Sequence, residues 1–100
     1  MSDFSILVHR TGESLHLKLL GDFDQRSARE IISAIRGNQL GISRVFLHTN
    51  GLNKLHTPNA QELLRQIPAL VNGSVRVFFT GEYSPKLAPK GCELYKGITG

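Results

Sequence analysis

The sequence predicts an α/β domain built on a four-stranded mixed sheet, a β-hairpin followed by βαβαβ, with its helices packed on one face. Three observations carry this. Apolar residues recur at every second position in four short runs, as in strands, and at i, i+3, i+4 and i+7 in two others, as in helices. The runs follow one another as β-β-α-β-α-β, an order that asks for parallel strands with right-handed crossovers. The strands carry His16, Lys18, Arg44 and Arg76 between their apolar residues. A sheet covered on both faces would read as continuous apolar runs, so one face is expected to meet solvent.

The hairpin comes first. Ile6 and Val8 alternate before Thr11-Gly12-Glu13-Ser14, a string of turn residues, and Leu15, Leu17 and Leu19 alternate after it. Asp22–Arg29 is polar, and then Ala28, Ile31, Ile32 and Ile35 draw one apolar stripe along a helix. Ser27 with Glu30 three residues on fits a capping box, and Gly37 or Gly41 fits the stop. A third strand is expected at about Arg44–His48, with Val45 and Leu47 on one side and Arg44, Phe46 and His48 on the other. Ala60, Leu63, Leu64 and Ile67 repeat the helical spacing behind Thr57-Pro58, a threonine cap with proline at the first helical position. Pro68 and Asn72-Gly73 close that helix, and a fourth strand runs about Val75–Thr80. Residues 82–100 read as a short helix at Ser84-Pro85, or an irregular tail broken by Pro89, Gly91 and Gly97.

Composition limits what such a domain can be. One hundred residues, 40% hydrophobic and 20% charged, make a single ordinary globular unit spanning 1–100. The lone Cys92 excludes an internal disulfide and a paired-thiolate zinc site. No apolar run exceeds three residues, so no membrane span is expected. The start lacks the charged and long apolar regions of a secretory signal, which makes the cytoplasm the expected compartment.

Signals for catalysis are poor, and no enzyme is expected. The sequence has no Gly-x-Gly-x-x-Gly, P-loop, Gly-x-Ser-x-Gly or Cys-x-x-Cys motif. Cys92 reads as a small hydrophobe under a loop. His9 and His16 lie on the hairpin and read as solvent-facing, while His48 and His56, at a strand end and a helix start, can approach each other. With Asp24 they offer a nitrogen–oxygen ligand set, but no metal-motif spacing supports it, and no cofactor is expected. Asp22 and Asp24 form a possible acid/base pair, though capping the first helix explains at least one of them better. The formal charge of +4 raises the question of nucleic acid. Arg26, Arg29 and Arg36 fall within an arc of roughly 80° on the first helix. Without tryptophan, a recognition helix or an aromatic ribonucleoprotein motif, that flank reads as a solvated face.

The stretch Phe46-Leu47-His48-Thr49-Asn50-Gly51-Leu52-Asn53-Lys54-Leu55-His56-Thr57-Pro58-Asn59 is the most informative. It falls without a gap on a family pattern, apolar-apolar-Asp-Leu-Ser-Gly-Val-x-apolar-apolar-Asp-Ser-small-Gly. Upstream, Gly21-Asp22-Phe23-Asp24 matches Gly-Glu-Leu-Asp of the same family. On these residues and the order of elements, the chain resembles the STAS domain of bacterial anti-sigma factor antagonists over about residues 5–81. The resemblance implies a STAS-like fold and a cytoplasmic interaction module without enzymatic activity. It implies an anti-sigma factor, or a serine-kinase-like regulatory protein, as partner. Thr57 stands where family members are phosphorylated and so released. The implied docking surface is residues 53–59 (Asn53, Lys54, His56, Thr57, Pro58 and Asn59) with Asp22, Asp24 and His48. The departures are specific. Both family acids become histidine, at His48 and His56, the small residue becomes Pro58, and the glycine becomes Asn59. Thr57 also reads as a plain helix cap. A second class of function stays open, a small sensor holding an anion or nucleotide phosphate at the helix N-terminus with His48 and His56.

Charge sharpens the picture. Residues 3–24 hold four acids and two bases, while residues 25–54 hold five bases and one acid. The positive excess is local, and it reads as an altered docking surface rather than a footprint for DNA.

Overall fold

The structure is a computed structural model that describes residues 3–55, 62, 64–70, 74–89 and 92–95. The chain runs β1 (Phe4–Thr11), β2 (Ser14–Phe23), α1 (Gln25–Arg36), β3 (Arg44–Leu55), α2 (Ile67–Leu70), β4 (Arg76–Thr80), α3 (Ser84–Leu87) and β5 (Glu93–Tyr95). The strands form one mixed sheet in the order β1-β2-β3-β4-β5, with β1 antiparallel to β2 and every later pair parallel. The tail therefore supplies a fifth strand that the sequence reading lacked. Three residues are too few to show a period, and Glu93–Tyr95 pairs because Phe78–Thr80 offers an open edge.

The one-sided layer is as expected. Leu15, Leu17 and Leu19 of β2, Val45 and Leu47 of β3, and Val77 and Phe79 of β4 turn to the helices. There they meet Ala28, Ile31, Ile32 and Ile35 of α1, all in one buried cluster. Each aliphatic side chain so buried contributes about 1.5–3 kcal/mol. Of the second expected helix, Ala60 and Leu63 lie outside the described residues, while Leu64 and Ile67 are buried in the same core. The opposite face carries His16, Lys18, Arg44, Phe46, His48, Arg76 and Phe78, with no described element packed over it.

Two boundaries differ from the sequence reading. The cap of α1 is Asp24 and not Ser27. The Ser27 N–H donates to Asp24 Oδ1 at 3.1 Å, and Asp24 N–H donates to Ser27 Oγ at 3.0 Å. The box is the expected one shifted by a turn, with serine in the third-residue role, because exposed Gln25 and Arg26 extend the helix before its apolar stripe begins. Gly37 is the stop, its N–H donating to the Ser33 carbonyl at 3.0 Å. The second difference is β3, which continues to Leu55 where the strand was expected to end at about His48.

Candidate functional site

β2 and β3 run parallel, so their carboxyl ends meet at one rim of the sheet, with Asp22 beside Lys54 and Phe23 beside Leu55. Crevices of open α/β sheets form beyond such ends. The register slips twice on the way. Lys18 pairs with His48 but Leu20 with Gly51, and Gly21 pairs with Leu52 but Asp22 with Lys54, so β3 carries one extra residue each time. Bulges of this kind bend a strand and re-aim its later side chains. Gly51 is required at the first: a Cβ there would stand 2.6 Å from the Leu19 carbonyl oxygen. Gly21, at φ +94°, is required on the facing strand, where a Cβ would fall on the Asp3 carbonyl oxygen. That oxygen instead accepts the Asp22 N–H at 2.9 Å.

Of the expected docking residues, the rim gathers Asp22, Asp24, Asn53 and Lys54. Asp22 and Asp24 are half-buried, the first through its carbonyl, which accepts from Ser27 Oγ at 3.2 Å, the second as the cap. Asn53 and Lys54 are exposed. His56, Thr57, Pro58 and Asn59 lie outside the described residues, which stop at Leu55 on this side.

Thr49 and Asn50 were missed in the sequence reading. Thr49 Oγ1 donates to the Thr80 carbonyl at 2.7 Å and accepts the Tyr83 N–H at 3.2 Å, and Asn50 Oδ1 accepts the Glu82 N–H at 2.8 Å. Together they tie the bulged part of β3 to the turn after β4. The available signal was two short polar residues directly behind an alternating run, a type that readily bonds nearby backbone.

His48 stands apart from the rim. It lies on the helix-free face, only 8% exposed, with Nε2 2.9 Å from His16 Nδ1 and Nδ1 2.7 Å from Thr80 Oγ1. Both ring nitrogens are thus engaged within the sheet. His16, expected to face solvent, is half-buried here, while His9 is exposed as expected. Burial holds both imidazoles below the ordinary histidine range. The neighbouring charges of His16 and Lys18 add to this at His48, and that of His9 adds to it at His16. His16 stacks on Phe46 at 4.8 Å between ring centres, and Phe46 on Phe78 at 4.9 Å, both within 12° of parallel. This ladder explains how two phenylalanines are 92% shielded on an uncovered face. It also takes both faces of Phe46, leaving neither for a nucleic-acid base.

The metal reading is not assembled. His48 bonds His16 and Thr80, Asp24 caps α1, and His56 is outside the described residues, among which no group of three ligating side chains occurs. Half-buried Cys92 has its thiol pushed up to about 11 by burial, the wrong direction for a nucleophile.

The geometry defines an α/β domain with its helices on one face of the sheet and Asp22, Asp24, Asn53 and Lys54 gathered where two parallel strands end. The chain is similar to the solved structure of the anti-sigma factor antagonist SpoIIAA in its unphosphorylated form, with a TM-score of 0.71 and 13% identity. The match covers 94% of this chain and 90% of that one. No family model and no curated protein matches the sequence. The chain has the SpoIIAA fold, and the STAS resemblance stands at the level of the fold.

Proposed function

We propose that the protein is a non-enzymatic STAS-like module that docks a regulatory protein, an anti-sigma factor or serine-kinase-like partner, in the cytoplasm. The observation that supports this best is the likeness of nearly the whole chain to an anti-sigma factor antagonist. The contact surface is the stretch 53–59 with Asp22 and Asp24, and Thr57 is the position where phosphorylation would act. A phosphate there adds about −1.5 to −2 charge at pH 7, enough to expel a partner seated on it. No described helix is long and apolar enough to cross a membrane. The rival anion-sensor reading is weakened because both nitrogens of His48 are already bonded inside the sheet.

The test is a pulldown of candidate serine-kinase anti-sigma factors by the full chain, followed by mass spectrometry of the chain after incubation with ATP. The expected result is a complex that Lys54→Glu weakens, with phosphate on Thr57 in the released fraction. Absence of any complex with the wild-type chain overturns the reading. A complex without phosphate on Thr57 removes only the switch.

A further inference from the structure

β1 is an edge strand, and its first half is unguarded. Phe4-Ser5-Ile6-Leu7-Val8 has no charge, no proline and no bulge, the devices that normally keep such an edge from pairing. Leu7, 56% exposed, lies on the helix-free face, and Val8, 49% exposed, on the helix face, so both sides of this strand present an aliphatic group. Above the edge, Phe4, Ile6 and Val8 form the floor of an open groove of about 650 Å³. Its wall is one stripe of α1 at i, i+3, i+4, i+7 and i+8, namely Arg26, Arg29, Glu30, Ser33 and Ala34.

We propose that this edge and the groove above it form the interface between two copies of the chain, joined antiparallel through β1 about a two-fold axis at Ile6. Three features fit that occupant. With Ile6 on the axis, Phe4 faces the second copy's Val8 and Ser5 faces its Leu7, so the uncharged run is its own complement. His9 then faces the second copy's Asp3, while Arg10 stays bonded to the Gly12 and Leu40 carbonyls of its own chain.

The helices fit as well. α1 follows β2 directly and packs on both β1 and β2, so it runs parallel to β1. From Arg26 to Ala34 is roughly 12 Å of helix, and from Phe4 to Val8 roughly 13 Å of strand, which sets Arg29 and Glu30 level with the axis. Each Arg29 then meets the second copy's Glu30, two reciprocal ion pairs. Neither side chain has a hydrogen-bond or ion-pair partner among the described residues. Strands about 4.8 Å apart would place the two α1 helices roughly 10 Å from each other, an ordinary packing distance.

The test is sedimentation equilibrium on the full chain, with circular dichroism to check folding. Wild type is expected to dimerise. Arg29→Glu and Glu30→Arg, both exposed changes, should each raise the dissociation constant at least roughly tenfold by setting like charges across the axis. An equimolar mixture of the two variants should recover a dimer, since each then supplies the charge the other lacks. A wild-type chain that stays monomeric to about 1 mM overturns the proposal. So does a dimer indifferent to both substitutions, which would place the contact elsewhere. So does a β1 edge that pairs only with an added foreign peptide.

Discussion

At the scale of single residues, the His16–His48–Thr80 chain makes stability depend on pH in a defined direction. Both imidazoles are held below the ordinary value of 6.5, so unfolding lets them take up protons around and below that pH. Their contribution is complete above about pH 6.5 and is lost as the pH falls towards the folded-state values. Urea midpoints for the wild type should therefore drop between about pH 7.5 and about pH 5.5, and His48→Gln should flatten that part of the profile. Proton NMR should show both rings titrating below the ordinary histidine value of 6.5. Gly51 gives a second prediction at this scale. Gly51→Ala sets a methyl against the Leu19 carbonyl and should destabilise the fold by about 1–3 kcal/mol, read from chemical unfolding.

At the scale of elements, α1 depends on its cap. Asp24→Ala removes the acceptor of the Ser27 N–H and should lower stability by about 1 kcal/mol, measured by thermal melting, whereas Glu30→Ala should leave the cap intact. The apolar stripe of α1 was legible because a 3.6-residue period is kept from Ala28 to Ile35. The far half of β3 was not, for a reason visible in its side chains. Val45, Leu47 and Thr49 turn to the helix side at a spacing of two, but the next core contacts are Leu52 and Leu55, each three residues further on. Every bulge consumes one residue and resets the alternation, so two in succession imitate a loop. Of the expected docking residues, Asp22, Asp24, Asn53 and Lys54 came from the family resemblance, and the sheet brings these four to one rim. The role of His48 was not legible, because its partners Thr80 and His16 are each 32 residues away and meet it only across strands.

For the whole molecule, a one-sided layer makes chemically identical changes unequal. Leu17, fully buried under α1, should cost about 2–5 kcal/mol on replacement by alanine. Leu40, 88% exposed in the turn before β3, should change stability by less than about 0.5 kcal/mol. Denaturant midpoints of Leu17→Ala and Leu40→Ala test the contrast directly. The same asymmetry explains why fold class could be read from a sequence that no family model matches. Charges interrupting the strands, at His16, Lys18, Arg44 and Arg76, identify the wet face from this chain alone.

The stacked rings of His16, Phe46 and Phe78 also act as a gauge. They sit in one row across three strands only because Phe46 pairs with both His16 and Phe78. A slip of β4 by one residue would swing Phe78 to the helix side and pull the column apart. Aromatic currents shift neighbouring proton resonances strongly, so upfield lines from Phe46 report correct strand alignment during refolding. The wet face of the sheet thus carries its own indicator of whether the chain has been assembled in step.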